Sequence, residues 1–287
     1  MRRLIDNLSE EEIQARIKDG YGQGYGSDYK PWLTVRNVSS KGRSCRLYNQ
    51  RIERPMTVFS KLEECTCYTL MWQDEIIDIR EQFPLLPLSE TQEIARELGI
   101  KHPRAPRAKH DLVMTTDFVV TVQKEGNPYL VAVYVKYQND LTKMRTREKY
   151  MIEKEYWQRR GIDLKIVTEN SFVPIEAENI SKIMDCYTCP ISKAEMQRKG
   201  FSDMYIIEKL SNSGTMTIQE FSKEVDEKFG FYSSATWKYL YHLIAHKIIP
   251  VDLTKRRIVG TTKISSVVCL EQLRNEIGEM LSNEVHA

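Results

Sequence analysis

The chain has 287 residues, 41% of them hydrophobic and 29% charged, with a net charge of +2. Those proportions describe a soluble globular protein with room for two domains, and the near-neutral balance does not by itself announce a nucleic-acid partner. No apolar run approaches the roughly 18 residues of a membrane span, and "MRRLIDNLSEEEI" lacks the apolar core of a signal peptide, so a cytoplasmic chain without a membrane partner is expected.

In chain order, Ser9 to Lys18 reads as a helix, with Ser9 at the cap and Glu12 three residues on completing a capping box. "GYGQGYG" (20–26) follows a helix and has no Lys-Ser/Thr tail, so it is neither a dinucleotide fingerprint nor a phosphate loop. "WLTV", "CRLYN" and "RIERPMTVF" read as short strands of a meander. Ser60 opens a helix running through Trp72, and "IIDIREQFPLLP" (76–87) starts as a strand and ends at prolines. A short helix, "TQEIARELGI", leads into "KHPRAPRAKH" (101–110), a proline-bearing loop carrying Lys101, Arg104, Arg107 and Lys109 and no acid. Such a loop suits a phosphate backbone or is simply solvated. Two apolar strands follow, broken by Gly126-Asn127, then a long helix from about Met144 to Arg160 and a strand at "DLKIVT". The sum is a mixed sheet flanked by helices over 1–170.

The remainder, 171–287, is expected to be a separate domain. Thr217 and Glu220 cap "TIQEFSKEVDEKFG", Gly230 ends it, and Ser233 or Ser234 starts "ATWKYLYHLIAHK". "IIPVDL" and "RIVGT", joined at "TKR", read as a hairpin. Helices followed by a β-hairpin make the winged-helix pattern, a reader of DNA or a docking module. Lys255, Arg256 and Arg257 lie at the tip of that wing. A last amphipathic helix is expected at 269–283, with Leu270, Leu273, Ile277 and Leu281 on one face. Cys186 and Cys189 form a C-x-x-C, but His242 and His246 lie far beyond finger spacing, which argues against zinc.

The acids and one lysine carry the chemistry. Folding the strands about Gly126-Asn127 as a tight turn sets Asp117 opposite Lys136 on one sheet face. The second strand is apolar on both faces and reads as buried, where an acid and a lysine either pair or hold something. Glu63 stands three residues after Ser60, where it would cap the helix. Glu153 shares a helix face with Tyr150 and Trp157, so an inward salt bridge to an arginine is one reading of it. Together Glu63, Asp117 and Lys136 could bind Mg²⁺ through hard oxygens and hydrolyse a phosphodiester. An acid on one strand and a lysine on its neighbour resembles the PD-(D/E)xK superfamily of restriction-endonuclease-like folds.

"GYGQGYGSDYKPWLTV", "SKLEE", "DIREQFPLLP", "GIKHP", "TTDF", "VYVKY" and "EKEYWQRRGI", in that order, resemble a more specific family: TnsA, the endonuclease subunit of heteromeric cut-and-paste transposases. The resemblance implies a restriction-endonuclease-like α/β domain followed by a winged-helix α+β domain. It implies that Glu63, Asp117 and Lys136 are catalytic, that Glu63 and Asp117 ligate Mg²⁺ (Mn²⁺ substituting), and that Glu153 matches the family's additional helix acid. Tyr134 stands where the superfamily has an acid two residues before the lysine, so its hydroxyl or the Val135 backbone is the next metal donor. The implied partners are double-stranded DNA at transposon ends, a TnsB-type transposase that handles the 3′ ends, and a TnsC-type AAA+ ATPase. Two competing readings are a stand-alone restriction or repair nuclease and a non-catalytic winged-helix adaptor.

Overall fold

The computed structural model describes residues 7–35, 44–105 and 108–275. The chain divides into two compact units, Met1–Phe172 and Val173–Ala287.

In the first unit, helix α1 (Glu10–Lys18) begins at the expected capping box: the Ser9 hydroxyl accepts from the Glu12 N–H, and the Glu12 carboxylate accepts from the Ser9 N–H. "GYGQGYG" is an irregular strap in which Gly22 runs at φ +76°, and a Cβ there would lie 2.2 Å from Pro84 Cγ. Only glycine lets the backbone pass that close. "WLTV" is not a strand; its backbone is used in other ways, the Trp32 N–H donating to the Gln82 carbonyl.

Strands β1 (Cys45–Asn49) and β2 (Arg54–Val58) form an antiparallel pair of their own. Helix α2 (Lys61–Trp72) follows Ser60, and β3 (Ile76–Pro84), α3 (Leu88–Glu97), β4 (Thr115–Val122), β5 (Tyr129–Val135), α4 (Met144–Gln158) and β6 (Asp163–Val167) complete the unit. The sheet order is β3-β4-β5-β6, with the last pair parallel and the others antiparallel. A parallel neighbour requires a crossover, which α4 provides. Val119 and Ala132 pack against Ile152, Tyr156 and Trp157 of α4 and Ile94 and Ala95 of α3. β2 is tied to β3 by a buried ion pair in which Arg54 grips Glu81 at 2.9 and 2.7 Å. The pair is further satisfied by the Ile79 carbonyl, which accepts from Arg54, and the Thr57 N–H, which donates to Glu81.

The β4–β5 register differs from the expected one. Phe118 pairs with Val133 and Val122 with Tyr129, so residues 123–128 form the connection in place of a two-residue turn. Pairing is displaced by two positions, and Tyr134, not Lys136, comes level with Asp117. An even displacement keeps every side chain on its expected face.

The second unit is largely helical: α5 (Pro174–Met184), α6 (Lys193–Lys199), α7 (Asp203–Ser211), α8 (Ile218–Phe229) and α9 (Ala235–Ala245). The Thr217–Glu220 capping box and the left-handed Gly230, φ +61°, bound α8 as expected. Phe201 gathers Phe229, Phe231 and Tyr239 at ring distances of 5.0–5.1 Å, closing the α8–α9 turn. The hairpin expected after α9 does not form among the described residues. Asn179 of α5 donates to the carbonyls of Leu253 (2.9 Å) and Arg256 (2.8 Å) and accepts from the Ile258 N–H (2.9 Å). With backbone groups at both ends of the loop engaged by one buried amide, 253–258 folds onto α5 rather than laddering with itself. Isolated bridges Val251–Val268 and Thr217–Lys263 are what remains of sheet there. Residues 270–275 begin the last helix, and Ile277 and Leu281 lie outside the described residues. Among the described residues, no helix is long and apolar enough to cross a membrane.

Candidate active site

Glu63 sits in the first turn of α2, and Ser60 puts it there. Its N–H donates to the Ser60 hydroxyl at 3.1 Å, and that hydroxyl donates to Glu63 Oε1 at 2.9 Å. Oε2 accepts from the Phe59 N–H at 2.8 Å. The capping role read from the sequence is therefore real, but it does not exhaust the residue. Glu63 is buried, and its carboxyl is pushed upward by lost hydration, against the Phe59 N–H, the Ser60 hydroxyl and the charge of Lys136.

Asp117 stands at the start of the sheet's central pair, its Oδ2 accepting from the Val135 N–H at 2.7 Å. Its pKa also moves up, first through desolvation and then through the negative charge of Glu63, with Lys136 and the Val135 N–H opposing. Lys136 follows β5, its N–H bonded to the Val167 carbonyl at 3.0 Å and its ammonium 5.5 Å from the centre of the Tyr134 ring. Thus α2, β4 and the end of β5 bring Glu63, Asp117 and Lys136 into one electrostatic neighbourhood, although 54 positions separate the two acids in the sequence.

Glu153 reaches the same neighbourhood from α4. It is 2% exposed, and no arginine among the described residues pairs with it; the Thr116 hydroxyl donates to Oε1 at 2.7 Å and in turn accepts from Trp157 Nε1 at 2.8 Å. Burial, then the charge of Asp117, pushes its carboxyl well above the usual range, against the Thr116 hydroxyl and Lys136. The Tyr134 ring packs 5.3 Å from that of Tyr150, and its hydroxyl is held protonated by burial and by Glu153 and Asp117.

Glu63 and Asp117 are hard oxygen donors whose charges disfavour each other in a partly desolvated place, which a small divalent cation would relieve. Among the described residues no three His, Cys, Asp or Glu side chains converge, so further donors would be backbone, tyrosine or water oxygens. The two acids fit a hard cation on those terms.

The cations expected to meet phosphate are distributed differently. Lys101, Arg104 and Lys109 are exposed; Arg104 is paired with Asp111 at 2.8 Å, and Arg107 lies outside the described residues. In the second unit Lys255 pairs with Asp252 at 3.0 Å and Arg257 with Glu178 at 2.7 Å, leaving the Arg256 guanidinium without a side-chain partner among the described residues. Near Cys186 and Cys189, both imidazoles, His242 Nδ1 and His246 Nε2, point at the Tyr187 carbonyl at 2.8 and 3.0 Å and not at sulfur.

The sequence reading missed Gln82, which contacts Glu63, and the Thr116–Trp157 relay beneath Glu153. "DIREQFPLLP" held the signal for the first; nothing local marked the second.

Residues 73–169 match the family described as TnsA-like endonuclease N terminal, and residues 175–253 match that described as TnsA endonuclease C terminal. Asp117, Tyr134, Lys136 and Glu153 lie inside the first match, whereas Glu63 precedes it and Lys255, Arg256 and Arg257 follow the second. The chain is also 36% identical over 277 residues, 96% of its length, to the transposon Tn7 transposition protein TnsA of Escherichia coli, 98% of which is covered.

Proposed function

Because the chain belongs to the TnsA endonuclease family, a family of DNA endonucleases, we propose that it cuts the 5′, non-transferred strands at transposon ends during cut-and-paste transposition. Its partners in this reading are transposon-end DNA, a TnsB-type transposase that cuts and joins the 3′ ends, and a TnsC-type AAA+ ATPase. The observation that supports the proposal is geometric: the Val135 N–H ties Asp117 to the strand that leads into Lys136, and Gln82, level with Asp117, contacts Glu63.

Glu63 and Asp117 would hold Mg²⁺, with Mn²⁺ able to replace it, and the Tyr134 hydroxyl or the Val135 backbone would complete the oxygen set. A divalent ion held there would supply the acidity that turns water into a nucleophile and the charge that offsets the phosphodiester's own. The Val135 N–H occupies Asp117 Oδ2 and so leaves Oδ1 as the free donor. Lys136 directs its ammonium at the attacking water and at charge developing on phosphorus. Glu153, hydrogen-bonded to Thr116, supports the start of β4 and so the placement of Asp117. Lys101, Arg104, Arg107 and Lys109 would meet the phosphate backbone beside the nuclease unit. The second unit, read as winged-helix-like with a loop in place of the wing, would meet DNA or a partner through Lys255, Arg256 and Arg257.

Strand-specific end labelling in a reconstituted reaction tests the division of labour. Asp117→Ala should abolish 5′-strand cleavage while 3′-end joining continues, changing products from simple insertions to cointegrates. Loss of both cuts from an assembled complex would refute the assignment, and specific cleavage by the isolated chain would favour a stand-alone nuclease.

A further inference from the structure

Gln82 is the anomaly in β3. It is buried, yet its backbone lies at φ +50°, in the left-handed region that side chains other than glycine rarely adopt. Glu81 pairs with Phe118 and Phe83 with Thr116, so the strained residue falls level with Asp117 across the β3–β4 pair. Its side chain is stretched between two elements. Nε2 donates to Glu63 Oε2 at 3.4 Å, and Oε1 accepts from the Thr115 hydroxyl at 3.2 Å. Its carbonyl accepts from the Trp32 N–H at 3.2 Å, which fastens the turn from behind.

A buried amide that only needed satisfying could find partners in a relaxed strand conformation. Here the left-handed twist aims the amide so that one end reaches α2 and the other the beginning of β4. Those elements carry Glu63 and Asp117, the two acids whose mutual distance decides whether one cation can touch both. An amide is also well suited to the place: its N–H₂ donates to Glu63 without adding a charge, while its carbonyl accepts from the Thr115 hydroxyl.

We infer that Gln82 is a positioning residue, an uncharged strut that sets the separation of Glu63 and Asp117 and so the cation affinity of the site. This rests on the proposed roles of those two acids. The left-handed backbone persists because the Trp32, Thr115 and Glu63 contacts jointly hold it.

The test is Ca²⁺ titration of the full chain by calorimetry with a DNA duplex present, in parallel with thermal unfolding of the metal-free chain. Gln82→Asn retains an amide and tolerates left-handed backbone better than glutamine, but it is one methylene too short to span both elements. Gln82→Met retains length and volume without the amide. Both should fold and bind Ca²⁺ at least ~10-fold more weakly, the loss typical of removing a residue that orients a metal ligand. Melting temperature alone would not report this, because the asparagine variant relieves backbone strain. Wild-type Ca²⁺ affinity in a folded asparagine or methionine variant would overturn the inference. Should the methionine variant not fold, the asparagine variant decides alone. Glu63→Gln and Asp117→Asn serve as references: if they leave Ca²⁺ binding intact, the site itself is wrong; if they abolish it while both Gln82 variants bind normally, only the strut is wrong.

Discussion

Asp117 accepts a hydrogen bond from the backbone N–H of Val135 at 2.7 Å, so the strand that delivers Lys136 also orients the acid it faces. The contact ties two candidate site residues to one β-pair, and it survives the difference between expected and observed register. It also leaves Asp117 and Glu63 in an electrostatic conflict, each penalised by desolvation.

That conflict has a measurable consequence. Asp117→Asn preserves shape while removing one of two like charges, so the metal-free chain should become more stable as cleavage falls by at least ~100-fold. Melting should rise by roughly 2–4 °C per kcal/mol relieved. Ca²⁺ should stabilise the parent chain and not the variant. A melting temperature that falls in the absence of metal would show that the carboxylates do not oppose each other.

Glu153 separates a buried acid from a buried charge. Glu153→Gln should cost little, because burial favours the uncharged form and Thr116 can still donate to an amide oxygen. Glu153→Ala should lose about 1–3 kcal/mol, since it strands the Thr116 hydroxyl beneath Trp157. Urea unfolding of both variants checks this, and equal losses would contradict that preference.

The loop at 253–258 presents cations of unequal availability. Exposed ion pairs such as Lys255–Asp252 and Arg257–Glu178 hold their partners weakly. Reversing Lys255, Arg256 and Arg257 together should reduce DNA binding and flatten its dependence on salt, with Arg256→Glu the largest single contributor. An unchanged salt slope, measured by fluorescence anisotropy, would assign this loop to protein docking.

His102 sets a pH limit on stability. Its Nε2 bonds the Thr91 hydroxyl at 3.0 Å, and Asp111 lies 3.9 Å from Nδ1. Desolvation lowers its pKa despite Asp111, so the unfolded chain takes up the proton first as pH falls. The contribution is therefore complete above the unfolded value of 6.5 and is lost as pH drops from there through the folded value. Melting curves of the parent and His102→Gln from pH 8 to 5 should differ increasingly below about pH 6.5. A constant difference across that range would show that His102 does not titrate on unfolding.

By itself the sequence determined what depends on neighbours a few residues apart. Ser9 with Glu12, Ser60 with Glu63 and Thr217 with Glu220 announce helix starts because an N-cap bond closes over three positions. Alternating apolar residues announce β4 and β5, and ordered motifs announce the family, since each is a property of the string. Tertiary structure decided what depends on which distant backbone groups find partners. "WLTV" is no strand because the Trp32 N–H is taken by Gln82, and 253–258 is no hairpin because Asn179, more than 70 positions earlier, satisfies its backbone. The β4–β5 register shifted because a six-residue connection replaced the tight turn, and no local pattern distinguishes pairings two positions apart that expose the same faces. Gln82 is the clearest case. A glutamine beside Arg80 and Glu81 in a half-polar strand attracts no notice, and only its left-handed backbone, beside Glu63 and level with Asp117, gives it a place in the site.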